Sequence, residues 1–424
     1  MSLVHETAQA IDHAWVRAQF PALALTQDGA PVVFLDNPAG TQVPERTIVA
    51  IGDYLRTANA NTHGPFLTSQ LTDVMLDAAR QAMTDFLGAA APEEIAFGPN
   101  MTTLTYSVSR ALGRGWGPGD EVLVTDLDHD ANVMPWRSLE ERGVTVKVVP
   151  VNLADCTLDM EAYQQLLSPR TRLVAVTAAS NAVGTMPDIG RMARLAHEVG
   201  ALIWVDAVHY GPHGLMDVQA LDLDFLVCSS YKFFGPHQGI FWGRAELLAQ
   251  IPAYQLRPAP QTAPGKFETG TKNHECLAGL VATISYLAEL GQKAGPDEPV
   301  ASRREALRGA MTAIRTYERD LAAALLDGLA SVPGLRIYGI TDPARLDERA
   351  PTFAFTIDGV STPEIGRILA EAGIFVWTGN YYALSIMERL GLEESGGAVR
   401  VGAVHYNTPA EIDAFLEGVA SLAS

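Results

Sequence analysis

Lys232 stands directly behind a short apolar run, in FLVCSSYKFFGPHQG, with two small serines just before Tyr231 and a Gly-Pro loop after it. The chain holds few lysines, namely Lys147, Lys232, Lys266, Lys272 and Lys293, so any lysine chemistry has a short list of candidates. Burial at a strand end lowers a lysine's pKa and frees the neutral amine that attacks a carbonyl carbon. Asp206 closes another buried run, ALIWVD, 26 residues upstream. Two neighbouring strand ends would bring this pair into one crevice, the carboxylate holding a protonated pyridine nitrogen and the lysine the aldehyde carbon of pyridoxal phosphate. Nearer the N-terminus, FGPNMTTLTYSVSRAL places Thr102 and Thr103 in the first turn of a helix starting near Asn100. Free N–H groups, hydroxyls and the positive end of the helix dipole make such a turn a seat for phosphate.

These residues need a scaffold that delivers strand ends to one edge. Between about residue 92 and residue 243 short β-branched runs alternate with longer helical segments, the pattern of a mainly parallel sheet wrapped by helices on both faces. Seven strands are expected, at Glu94–Gly98, Glu121–Asp126, Thr145–Val151, Arg172–Ala178, Ala201–Asp206, Phe225–Ser229 and Gly239–Gly243. The segment from Asp188 to Gly200 predicts a helix with Asp188 as N-cap, Ile189, Met192, Leu195, Ala196 and Val199 on one face, and Gly200 as its stop. The polar, Gly- and Pro-bearing stretch at 291–299 marks a passage into a smaller α+β C-terminal unit. That unit reads as a long helix at Ala301–Leu329, strands at Thr352–Ile357 and Ile374–Trp377, and a helix between them at Pro363–Ala372. The expected division is an N-terminal segment, 1–34, packing on the small domain, a large domain at 35–292, and a small domain at 293–424.

Composition narrows the function classes. The 424 residues carry a net charge of −19, with 48% hydrophobic and 19% charged residues, which describes a folded globular chain. Such an acidic surface repels phosphate backbones and anionic lipid heads, so nucleic acid and membrane surfaces are poor partners and small molecules better ones. Cys156, Cys228 and Cys276 form neither a C-x-x-C pair nor a zinc-ligand spacing, and no metal site is expected. The start, MSLVHETAQAIDHAW, lacks a secretory pattern, and no apolar run of membrane-spanning length occurs, so a cytoplasmic location is expected. A nicotinamide dehydrogenase would need a G-x-G-x-x-G turn that is missing.

Together these segments resemble the fold type I pyridoxal-phosphate enzymes, and within them the class V aminotransferase family that includes the cysteine desulfurases. The resemblance runs from LDNPAGTQ at Leu35 to VRVGAVHYNT at Val399. It implies that Lys232 is the Schiff-base and proton-transfer lysine, Asp206 the pyridine-nitrogen partner, and His129, in DLDHDANVMPW, the residue stacked on the cofactor ring. It further implies that Asn181, in AASNAVGT, contacts the ring hydroxyl, that Ser229, Thr102 and Thr103 bind phosphate, and that His209 lies near the ring oxygen. Thr271, in FETGTKN, matches a threonine that reaches the phosphate of a neighbouring subunit, which implies a homodimer. Arg400 matches the arginine that anchors the substrate carboxylate, and His63, in NTHGPFLTSQ, a segment that closes over the substrate.

The pattern breaks at GIFVWTGNYYALSIMERL, which resembles a desulfurase segment carrying an arginine and then a persulfide-forming cysteine. Trp377 stands at the arginine and Tyr382 at the cysteine, and neither holds a persulfide. Of the three cysteines only Cys276 is expected near a site mouth. Tyr231 replaces a histidine before the lysine, and Asp206 with His209, a D-x-x-H arrangement, resembles kynureninases and isopenicillin N epimerase-like members of the class. The expected activity is therefore desulfurase-like or C–S/β-lyase chemistry on a small α-amino acid without a persulfide cysteine. Amino-group transfer or epimerisation is the alternative, and a non-catalytic ligand-binding relative the least favoured reading.

Overall fold

The computed structural model describes residues 11–295 and 300–423. Two helices, α1 (Glu45–Thr57) and α2 (Leu67–Leu87), precede a βα series: β1 (Ile95–Gly98), α3 (Met101–Leu112), β2 (Glu121–Thr125), β3 (Thr145–Val149), β4 (Thr171–Thr177), α4 (Ile189–Glu198), β5 (Leu202–Asp206), β6 (Phe225–Ser229) and β7 (Gly239–Gly243). These seven strands form one sheet in the order β1-β7-β6-β5-β4-β2-β3. The neighbours from β6 through β5, β4 and β2 to β3 are parallel, whereas β7 runs antiparallel to both β6 and β1. A connection as short as the one from Ser229 to Gly239 cannot carry a parallel crossover, so the strand must return.

Strand parity explains the helices on both faces. Phe97, Val174, Val176, Ile203, Val205, Leu226 and Ile240 belong to one buried cluster, with Leu76, Met83 and Phe86 of α2. Their neighbours in sequence, Ala96, Leu173, Ala175, Trp204, Phe225, Val227 and Phe241, belong to another, with Leu104 and Val108 of α3. Alternate side chains point to opposite faces, so a strand apolar at every position has to be covered twice. The helix at 189–198 forms as its sequence requires, with the Asp188 side chain accepting from Arg191 N–H and Gly200 at a φ of +78°.

After the sheet come α5 (His274–Lys293), α6 (Arg303–Ala330), β8 (Leu335–Tyr338), β9 (Thr352–Ile357), α7 (Thr362–Glu371), β10 (Trp377–Gly379), β11 (Ala398–Gly402) and α8 (Pro409–Ala420). A four-stranded antiparallel sheet, β8-β9-β11-β10, packs with α6, α7 and α8 around Phe353, Phe355, Ile365, Val401 and Phe415. The strand expected at Ile374–Trp377 is divided: Ile374 and Phe375 pair in parallel with Val33 and Phe34, while Trp377 turns to pair with Arg400. Likewise the strand expected over Thr145–Val151 stops at Val149, and Val151 pairs with Leu158 instead. Residues 11–34 touch the C-terminal unit through His13 to Asn407 and Arg17 to Glu411, and also send Val16 and Phe20 into the large core; residues 1–10 lie outside the described residues.

Candidate active site

The carboxyl ends of β2, β4, β5 and β6 open onto a cavity of about 860 Å³ roofed by the loop after β10. A smaller inner pocket of about 60 Å³ adjoins it, and Thr102, His129, Asn181, Tyr231 and Lys232 border both. Asp206 and His209 line the inner pocket, and Arg400, Trp377 and Tyr382 the outer one. The arrangement puts the ligand space beyond the strand ends, as open α/β sheets do.

Lys232 ends the short turn after β6, is 9% exposed, and donates to the Pro38 carbonyl. Burial first, and then the Arg400 charge, bring its pKa down to about 7, against partial support from Asp206 and Asp36. Asp206 is buried at the end of β5 with Val208 N–H donating to it at 2.8 Å, and desolvation pushes its pKa up to about 6. A cation placed beside it would restore the charged form.

His129 follows β2 in a loop fixed by Asp128, whose buried carboxylate accepts from Thr125 Oγ1 at 2.5 Å and Asn132 Nδ2 at 2.8 Å. His129 Nδ1 accepts from Ala131 N–H at 3.0 Å, and burial, with Lys232 and Arg400 nearby, lowers its pKa to about 4. A neutral imidazole results, its ring stacked on Tyr382 at 5.6 Å.

Arg400 lies in β11 opposite both Trp377 and Ala354. It donates to the Asn181 carbonyl at 2.8 Å and sits 4.3 Å over the Tyr381 ring, while its buried Nε has no partner. Desolvation lowers its pKa to about 10. Asn181 Nδ2 donates to the Tyr381 carbonyl at 2.9 Å, leaving Oδ1 buried and unpartnered beside the inner pocket. Unpartnered buried polar atoms facing a cavity are what a ligand satisfies.

Other expected site residues stand elsewhere. Ser229 Oγ accepts from Met101 N–H at 3.1 Å and ties β6 to the start of α3 without lining either pocket. Gly239 permits the same close approach, since a Cβ there would meet the Asn100 carbonyl carbon at 2.4 Å. Thr102 borders the pockets, but the Thr103 side chain is exposed and its N–H donates to the Asn100 cap. His209 is buried with Nε2 3.0 Å from Thr352 Oγ1, its pKa held well below the usual value by burial. His63 and Thr271 are exposed and outside both pockets.

Three participants escaped the sequence reading. Asp36, in the LDNPAGTQ segment, is a half-buried acid whose charge opposes those of Lys232 and Arg400, and its buried Oδ1 has no partner. Tyr106, one turn beyond Thr102, and Glu393 complete the outer wall. Only the acid at the end of an apolar strand, as in ALIWVD, signalled Asp36; nothing local marked Glu393.

The sequence matches the family described as Aminotransferase class-V over residues 33–298 and 301–415. This chain belongs to the class V aminotransferase family. It is 33% identical to a cysteine desulfurase of Klebsiella pneumoniae across 95% of this chain and 96% of the relative. It is 34% identical to a probable cysteine desulfurase of Mycobacterium leprae across 99% of this chain, and to a cysteine desulfurase of Synechococcus elongatus across 94%. Of these two longer relatives it spans 66% and 62% of the length. The crystal structure of the cysteine desulfurase CsdA from Escherichia coli matches with a TM-score of 0.82 at 28% identity, covering 97% of this chain and 98% of that one.

Class V aminotransferases are pyridoxal-phosphate enzymes, and the pockets of this member fit that cofactor. The donor set supplies an amine near its neutral form, a buried carboxylate awaiting a cation, a flat neutral imidazole and the N-terminus of a 12-residue helix. Among the described residues no helix is long and apolar enough to cross a membrane.

Proposed function

We propose that this class V enzyme breaks the bond between Cβ and a leaving group, sulfur above all, in an α-amino acid, and does so without passing sulfur to a protein thiol. The observation that carries the reading is the occupancy of the cavity mouth: Tyr382 covers His129 there, and no cysteine is among the residues lining either pocket. Cys156 and Cys228 are buried, and burial raises both thiols. Cys276 is half-buried at the start of α5, its thiol also raised by burial.

Bound pyridoxal phosphate supplies an electron sink for the pair left at the substrate Cα. Lys232 would hold the cofactor and, as an amine with a pKa near neutrality, would move the proton at Cα. Asp206 would keep the ring nitrogen protonated, His129 would lie against the ring, and Asn181 Oδ1 and His209 would serve its hydroxyl side. Thr102, with the N-terminus of α3, would hold the phosphate, and Ser229 would brace that seat through Met101 N–H. Arg400 offers its fork and free Nε to the substrate carboxylate, a planar match that lysine would lack.

Desulfuration to alanine leaves sulfur that needs an acceptor thiol, whereas elimination to sulfide, pyruvate and ammonia balances with water alone. With no thiol in the pockets, elimination is the outcome expected. L-cysteine and S-phenyl-L-cysteine given to the purified holoenzyme should both release pyruvate, in equal amount to the sulfide or thiophenol freed. Alanine in place of pyruvate would overturn the reading, as would release of a keto acid that retains the sulfur.

The same reading assigns a homodimer. Leu67, Leu71 and Val74 lie at helical spacing on the open face of α2 and are 69%, 42% and 67% exposed, with Phe66 before them at 54%. Ile48, Val49 and Leu55 of α1 extend this apolar surface. His63, held by Asp73, and Thr271, near the α2 Arg80–Glu268 pair, flank it, where a second copy would carry each toward its own pockets. In this division residues 35–292 carry the cofactor lysine and 293–424 the carboxylate arginine.

A further inference from the structure

Glu393 is a half-buried carboxylate in the wall of the outer cavity that the proposed chemistry does not use. Asn380 Nδ2 donates to its two oxygens at 3.0 and 3.2 Å, and no cation pairs with it among the described residues. Among the described residues the cations lining the cavity are Lys232, which also borders the inner pocket, and Arg400, bonded to the Asn181 carbonyl. The cavity is therefore polarised, with positive charge where an α-carboxylate binds and a carboxylate farther out.

Trp377 pairs with Arg400, and three residues on Asn380 holds Glu393, so both charges face one cavity of about 860 Å³, which leaves room for a side chain much larger than that of cysteine. Trp377, Tyr106 and Tyr382 add flat aromatic walls to the same cavity. Gly397 lets the two segments of this wall pack together, since a Cβ on it would meet the Gly379 carbonyl oxygen at 2.1 Å.

We infer that Glu393 is a specificity residue that reads a hydrogen-bond donor at the far end of a flat or extended substrate side chain. The inference rests on the cavity binding α-amino acids, and not on which bond is then broken. The substrate class is an α-amino acid with an aromatic or long side chain ending in an amino, amide or guanidino group. Such a donor finds a carboxylate acceptor already desolvated on one side, where a charge-assisted hydrogen bond is strong. A side chain of the same shape without the donor gains only the aromatic contact and leaves the carboxylate partly stripped of water.

The test compares ligands that differ in the donor alone. Changes in the visible cofactor absorbance of the holoenzyme give dissociation constants for L-phenylalanine and 4-amino-L-phenylalanine, and for L-norleucine and L-lysine. The native protein should bind the donor-bearing member of each pair at least tenfold more tightly. In Glu393→Gln the remaining carbonyl still accepts from Asn380 and keeps the turn, yet the preference should shrink to within about threefold. Equal binding of the pairs by the native protein, or a preference that survives in Glu393→Gln, would overturn the inference. Pyruvate release from S-phenyl-L-cysteine is scored separately, so a failed elimination assay beside a retained donor preference would fault the proposed reaction and leave the subsite standing.

Discussion

Replacing Lys232 with alanine will abolish the visible absorbance of the lysine-bound cofactor and cut turnover by about a thousandfold or more, the range spanned by the loss of a positioned proton-transfer group. The size of the effect follows from the environment of the amine. At 9% exposure, beside Arg400, Lys232 is driven toward its neutral form, with a pKa of about 7 against an ordinary 10.5. The neutral amine is the form that combines with an aldehyde, so the sign is fixed: uptake of pyridoxal phosphate by cofactor-free protein should accelerate as pH rises through about 7 and level off above it. Stopped-flow absorbance from pH 6 to 10 measures this. A rate still climbing at pH 10 would mean an unperturbed lysine, and an unchanged spectrum in Lys232→Ala would remove the residue from its role.

The second large effect belongs to Arg400. Truncating one partner of a buried, hydrogen-bonded charge pair costs about 2–5 kcal/mol, which corresponds to about 30-fold to about 5,000-fold in affinity. Arg400→Ala should lose that much binding of any α-carboxylate substrate while the resting cofactor spectrum stays as in the native protein. Arg400→Lys should recover only part of it, because an ammonium cannot present two parallel donors. The Asn181 carbonyl and the Tyr381 ring, both held against the guanidinium, would also be released, so a small change in stability should accompany the variant. An affinity that survives Arg400→Ala would place the carboxylate elsewhere in the cavity.

The sheet was legible because its signals are local. Apolar strands with an acid or serine at the end, Asp188 capping an amphipathic helix, and Asn100 capping α3 each declare themselves within a few residues. The antiparallel direction of β7 was also present in the sequence, as a return too short for a crossover. The divided strand at 374–379 was not legible, because its two halves take partners from Val33 and from Arg400, distant in sequence and in opposite directions. Asp206 and Lys232 could be placed in one crevice because each ends or follows a strand of the same sheet, and the family resemblance added Asn181. Glu393 could not, since it reaches the cavity only through the 380–397 turn folding back on β10. Tyr381 and Tyr382 hold that turn with φ values of +57° and +56°, a left-handed conformation that no motif announces for tyrosine. Asn380 bridges Tyr382 N–H and Glu393, and this long-range contact keeps it.

The departure from a sulfur-relay site rests on Tyr382 and on the positions of three cysteines, and it can be tested on the protein itself. Holoenzyme turning over L-cysteine, quenched in acid and weighed intact, should show no added sulfur atom on the chain, and Cys276→Ser should release sulfide and pyruvate at the native rate. A chain heavier by one sulfur, with the addition mapped to Cys276 and turnover lost in Cys276→Ser, would contradict the account.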